Sequence, residues 1–342
     1  MSSGAFSLGP FGAYTPQAAA AIQQQIANAG FGTTGNIYYL DPLNGIDGNS
    51  GATPYGIPGQ TGTGAVKTLA AGYALLREGK NDVLVLIGNG LTTATARLTA
   101  SFTWSKNAAH FVGICSGSWV SQRARIAPTT TVAGFANFFT VSGNGCYFAN
   151  LQFFQGFGTG VAAEICMTVT GARNVFVNCS IDGMGDTSAS AGAASTTSRN
   201  LLITAGENLF RHCSIGIDTI VRSVANASVE ISGGSARNIF EDCIFPADVS
   251  SASAVHVLAA ASSALDRYTL FKGCTFLNAI QSGATGQTGV FQLAASVGGM
   301  VFLQASWQIG ASDWGIDATS KAQIYCGAPV GSGTGGVALV NT

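Results

Sequence analysis

A phrase of eight residues recurs along this chain at near-constant spacing, and few folds accommodate such a pattern. It reads NVFVNCSI from Asn174, NLFRHCSI from Asn208, NIFEDCIF from Asn238 and TLFKGCTF from Thr269. Fainter copies are CYFANLQF from Cys146 and MVFLQASW from Met300. The phenylalanines Phe148, Phe176, Phe210, Phe240, Phe271 and Phe302 stand 28, 34, 30, 31 and 31 residues apart. A period of about thirty residues marks a stacked array, in which each unit buries its apolar face on the next.

The position after the phenylalanine holds Val177, Arg211, Glu241 or Lys272. It must face solvent, so the phenylalanine faces inward. Asn178, His212, Asp242 and Gly273 come next. These residue types tolerate left-handed backbone, and one such residue turns the chain at a corner. Past the corner, Cys179, Cys213, Cys243 and Cys274 point inward, followed by Ile181, Ile215, Phe245 and Phe276. The same frame makes Gln304 the last corner and Trp307 an inward residue. A further strand precedes each phrase: ICMTVTG, NLLITAG, ASVEISGG, AVHVLAA and GVFQLAA. No stretch of helical spacing separates these strands, which predicts an all-β parallel solenoid and excludes alternating strand–helix units. The four cysteines should then stack at about 4.8 Å with parallel side chains, which does not suit a disulfide. No C-x-x-C spacing points to a metal. Buried free thiols are expected.

Composition narrows the function classes. Of 342 residues only 9% are charged, 47% are hydrophobic, and the net charge is −1. Disorder is excluded, and so is a field able to attract nucleic acid or an anionic membrane. No apolar run approaches the ~20 residues that span a bilayer. MSSGAFSLGPFGAYTP lacks a basic stretch followed by an apolar core, so no secretory signal and a cytoplasmic origin are expected.

Ahead of the repeats stand NIYYLDPLNGIDGNSG (36–51) and AVKTLAAGYALLREGKNDVLVLIGNG (65–90). Tyr38 and Tyr39, the Asp- and Gly-rich turn 41–51, a helix around Leu69–Leu76 and the buried strand Val83–Ile87 form a recognisable order. This order resembles the opening segment of right-handed parallel β-helix proteins of the pectin-lyase-like class, including those of bacteriophage virions. The resemblance covers 36–90 by motif and 91–326 by repeat. It implies a right-handed parallel β-helix with short N-terminal helices and capping segments. It leaves function open among pectate lyases, glycosidases, phage tailspikes and inert virion proteins. The helix would lid the open first coil. The expected organisation is a docking arm over 1–35, the opening segment and cap helix over 36–90, coils over 91–326 and a flexible tail over 327–342. Within the arm, TPQAAAAIQQQIANAG (15–30) reads as a helix with Thr15 as cap and Gly30 as stop.

Several residues invite a chemical role. Asp218 and Asp248 each lie five positions after a ladder cysteine, so they could sit on adjacent coils as paired carboxylates; Asp182 and Asp186 lie near the preceding coil's face. All four read more simply as solvated turn carboxylates. Asp41, Asp47 and Asn49 could hold calcium but suit Asx-turns better. Arg211, Glu241 and Lys272 look like a charge ladder, and His212 a corner. His110 and His256 have no nucleophile motif beside them, and Trp104, Trp119, Trp307 and Trp314 are scattered. With no cofactor or metal implied, the chain reads as a non-enzymatic virion protein: a capsid decoration docked by its terminal arms on other virion proteins. A homo-oligomer, with a trimer as one form, is expected. The alternative is a tailspike or tail fibre that binds or depolymerises host-surface glycan through Asp218 and Asp248. A third reading is a non-catalytic adhesin using the loop GMGDTSASAGAASTTSRN (183–200).

Overall fold

A computed structural model of the chain describes residues 35–56, 61–115, 124–129, 134–156, 163–185, 195–279, 286–295 and 297–326, with the backbone of 337–338. The arm helix over 15–30, Trp119 and residues 186–194 of the 183–200 loop, Asp186 among them, lie outside the described residues. Short strands wind through three sheets of eleven, nine and eight strands, parallel throughout except for the last strand of the first. One coil runs from Ile165–Val169 in the third sheet to Val175–Val177 in the first, then to Ser180–Asp182 in the second. The next strand, Arg199–Ile203, returns to the third sheet beside Ile165–Val169. The solenoid expected from the repeat is the observed architecture. Among the described residues no helix is long and apolar enough to cross a membrane.

The phrase owes its regularity to strict register. Phe148, Phe176, Phe210, Phe240 and Phe271 are paired position by position. Their rings stack at 4.8, 4.7, 4.9 and 4.7 Å between centroids, all fully buried. Asn178, His212, Asp242 and Gly273 have φ of 51°, 52°, 52° and 64°, the left-handed corners the sequence predicts. Beyond them Cys179, Cys213, Cys243 and Cys274 are buried and free. Each thiol donates to the carbonyl of the preceding coil's phenylalanine: Cys213 to Phe176, Cys243 to Phe210 and Cys274 to Phe240, at 3.4–3.5 Å. Burial pushes the Cys179 and Cys243 thiols well up. These thiols are expected to resist alkylation in the native chain and to react fully after denaturation, as thiol titration would show.

Two expectations fail in the last coil, for one reason. Phe271 pairs with Leu303, not Phe302, so this coil is one residue longer. Leu303 faces inward, Ala305 is the corner with φ 49°, and Gln304 lies in the strand opposite Lys272. Trp307, expected inward, therefore turns outward and is 70% exposed. Ser306 takes the cysteine position and repeats its bonding, donating to Phe271 O at 3.1 Å. That natural substitution makes Cys243→Ser a mild change, about 1 kcal/mol or less in a denaturant titration, because the hydroxyl restores the hydrogen bond. At the corners, Asp242→Gly should be near neutral and Asp242→Val should cost ~1–2 kcal/mol, since a β-branched residue does not tolerate positive φ.

A second set of rows has no counterpart in the expectations. Asn174, Asn208 and Asn238 are buried, and each Oδ1 accepts a backbone N–H from the coil before: Cys146, Asn174 and Asn208 at 2.8, 2.9 and 3.0 Å. Just upstream Arg173, Glu207 and Arg237 form another left-handed corner, with φ of 59°, 63° and 57°. Glu207 pairs with both arginines. At the N-terminal end, the helix Leu69–Leu75 is capped by Thr68, whose hydroxyl accepts the Ala71 N–H, and it buries Leu69 and Gly72. At the other end Val337–Ala338 pairs antiparallel with Tyr325 and Cys326.

Candidate active site on the second sheet

The outer face of the second sheet carries polar side chains that are buried. Its outward rows alternate with core residues such as Phe153 and Ile181, so Gln152, Ser180 and Asp182 face away from the core. Arg125 is in register with Gln152, Gln152 with Ser180, and Ser180 with Ser214. Asp182 lies opposite Phe154. Three coils thus bring Arg125, Gln152 and Asp182 into one chain of hydrogen bonds. Arg125 Nε donates to Gln152 Oε1 at 2.5 Å, and Gln152 Nε2 donates to Asp182 Oδ2 at 2.8 Å. The Arg125 guanidinium also lies 5.2 Å from the Phe154 ring centre.

Gln152 and Asp182 are almost completely buried, at 1% and 3% exposure, whereas Arg125, Phe154 and Asp218 are half-buried. Among the described residues Asp182 Oδ1 has no hydrogen-bond partner, and neither do the buried hydroxyls of Ser180 and Ser214 on the same face. Burial lifts the Asp182 carboxyl to about 7; the Gln152 hydrogen bond and the Arg125 charge offset part of this, and Asp218 adds to the rise. Arg125 can only donate, so it fixes the Gln152 carbonyl toward itself and the amide N–H toward Asp182. Oδ2 is therefore the accepting oxygen, and in the neutral acid the proton sits on Oδ1, the free one. Just past Asp182 the chain turns at Gly183 with φ 94°, where a Cβ would meet Gln155 C at 2.6 Å. The glycine thus permits the tight departure from the strand. Gln155 anchors the neighbouring turn, donating to Phe135 O at 2.8 Å and accepting from Phe135 N at 3.1 Å.

The structure redistributes the other candidates. Asp182 is a buried strand residue rather than a solvated turn carboxylate, which corrects the simple reading of it. Asp218 is half-buried in the turn after Ser214–Ile215, and its charge reaches Asp182. Asp248 is buried in the strand Ile244–Val249 and pairs with Val221, so it does not stack on Asp218. Asp41 accepts the N–H groups of Leu43 and Asn44, and Asp47 those of Lys67 and Thr68. Those carboxylates shape the turn. Among the described residues no group of three or more His, Cys, Asp or Glu could hold a metal. His212 sits at its corner, 3.5 Å from Asp242 Oδ2, and Glu241 bridges Arg211 and Lys272 at 2.6 and 2.7 Å. An open depression of about 600 Å³ in the opening segment, lined by Ile46, Asn49, Pro54 and Tyr55, holds none of these groups.

No known protein family and no curated protein matches the sequence. Solved structures do match the fold. A pectin methylesterase from Aspergillus niger shares 14% identity over 89% of this chain and 93% of its own, with a TM-score of 0.50. A rhamnogalacturonan lyase shares 14% identity over 80% of this chain and 68% of its own, with a TM-score of 0.51. ORF18 of Geobacillus virus E2 shares 12% identity over 89% of this chain and 64% of its own, with a TM-score of 0.35. The expectation of a non-enzymatic chain is corrected by these findings, since the structures that share this fold at a TM-score of about 0.5 are named as enzymes. Register, corners and likeness agree: the chain folds as a right-handed parallel β-helix, the fold of the pectin methylesterase and the rhamnogalacturonan lyase.

Proposed function

We propose that this chain acts on a host-surface polysaccharide as part of a bacteriophage particle, in the manner of a tailspike rather than of a capsid decoration. The observation that carries the chemistry is Asp182: a buried carboxyl lifted to about 7, with one oxygen tied to Gln152 and the other without a partner among the described residues. A group protonated near neutral pH is suited to donate to the leaving oxygen of a glycosidic or ester link. Asp218, in the turn beside that strand and near enough for its charge to act on Asp182, supplies the second carboxylate that such a reaction uses to activate water or to stabilise positive charge. Arg125 and Gln152 hold the acid in orientation. Placement on a particle, as a homo-oligomer beside other virion proteins, is supported by the low charge and by the resemblance to virion β-helices.

The test is incubation of the purified chain with capsular polysaccharide and lipopolysaccharide of the host. New reducing ends or released ester acids are expected. Intact polysaccharides across the set would contradict the reading. Cryo-electron microscopy of the particle should place the chain on the tail; density on the head would favour decoration.

A further inference from the structure

The outer face of the second sheet continues well past Asp182. Ser180, Ser214, Ile244, Thr275 and Trp307 are in register along one outward row, and Pro246, Leu277 and Ile309 along the next. The face opens steadily toward its last strand, Trp307–Ile309. Ser180, Ser214 and Pro246 are buried, and Ile244, Thr275 and Leu277 are half-buried. Ile309 and Trp307 are 56% and 70% exposed. A lone exposed tryptophan would need no explanation. Here Ile309 stands on the same face of the same strand and Leu277 pairs with it from the strand before, so the three make one apolar ledge of the kind that marks a binding site. Backbone bonding fixes the ledge to the coil beneath, since the Trp307 N–H donates to Cys274 O at 2.8 Å. None of Ile244, Pro246, Thr275, Leu277, Trp307 and Ile309 carries a charge.

We propose that Trp307, with Leu277 and Ile309, is a stacking platform for neutral sugar units of the polysaccharide whose link is broken at Asp182, so that the substrate lies along the axis of the β-helix. The inference rests on the proposed function for the identity of its ligand. A pyranose ring presents C–H groups on its faces and hydroxyls around its rim. Its face therefore suits the indole, and its rim the hydroxyl of Thr275 on the neighbouring strand. A uronate carboxylate set on the ledge would lose its water and gain no charged partner from these six side chains, which selects neutral units. Distance favours one continuous ligand. Four strand spacings separate Ser180–Asp182 from Trp307–Ile309, ~19 Å along the sheet. A pyranose unit is about as long as one spacing, so about four units bridge the two positions. Contacts that far from the reacting bond act by holding the substrate in place for cleavage, and a fragment too short to reach both positions forgoes them.

The test titrates capsular polysaccharide and lipopolysaccharide O-chains of the host, partly acid-hydrolysed and separated by length, into the full Asp182→Asn chain with and without Trp307→Ala, followed by calorimetry. Fragments of about six units should bind at least ~10-fold more weakly without the indole, and equally so at low and high salt. Trp307→Phe, which keeps a ring face, should restore all but ~3-fold of that loss. In the otherwise unaltered chain, Trp307→Ala should lower kcat/KM for the same fragments and leave it unchanged for fragments of about two units. No binding at any length, a loss that high salt abolishes, or an equal fall in kcat/KM at both lengths would each overturn the proposal. So would a Trp307→Ala chain that binds long fragments as tightly as its parent; a change in its oligomeric state would then make Trp307 a contact between copies. Binding that needs Trp307 in a chain that cleaves nothing would overturn the catalytic reading and leave this inference standing.

Discussion

Phe240→Ala is expected to destabilise the chain by ~3–5 kcal/mol, read as a shift in denaturant midpoint. The ring is fully buried between Phe210 at 4.9 Å and Phe271 at 4.7 Å, with Phe245 edge-on at 5.8 Å. Backbone bonding holds the rings on either side in their own strands, so neither can move into the vacated space. The loss then includes both the transfer of the ring and the cavity left behind. Phe302→Ala provides the contrast. Its ring lies outside the core, 6.0 Å from Tyr268 and 6.0 Å from Tyr325, and its loss should cost under about 2 kcal/mol. Equal costs at the two positions would mean that the last coil has been assigned the wrong register.

That last coil also shows where sequence reading stops. The rows of Phe240, Asp242 and Cys243 were legible because each repeats a residue type at a fixed offset from its neighbours. In the last coil a phenylalanine stands one position early, leucine takes its place in the core and alanine makes the corner. Alanine at positive φ carries no compositional signal, so nothing in MVFLQASW announces the shift. The asparagines at 174, 208 and 238 open each phrase, yet their role depends on a neighbouring coil and appears only once the coils are stacked. Asp182 is the most consequential case. Strand alternation places it on the outer face, where a carboxylate is ordinarily solvated. What makes it unusual is the burial of that face and the alignment of Arg125 and Gln152 from two earlier coils, and a thirty-residue period encodes neither.

On the proposed function, Asp182→Asn is expected to leave a folded chain that no longer cleaves polysaccharide. Removing a general acid costs ~10²–10⁴ in rate, and asparagine keeps the shape while having no acidic proton to give. Its effect on stability should run the other way. The Asp182 carboxyl ionises near 7 in the folded chain against 3.8 for a free carboxyl, so the folded state holds a proton that the unfolded state releases. Stability therefore falls as pH rises from about 4 to about 7, by up to ~1.4 kcal/mol per unit, and levels off above 7. Asparagine abolishes that slope, so the variant should be at least as stable as the parent at pH 8.

The most direct measurement is the rate of polysaccharide cleavage against pH for the parent and for Asp182→Asn, with thermal melts of both under the same conditions. The account predicts a parent rate that declines as pH passes about 7, and a variant that melts no lower at pH 8 yet is at least a hundredfold slower throughout, within the range for a lost general acid. A folded Asp182→Asn chain that cleaves as fast as the parent would contradict it.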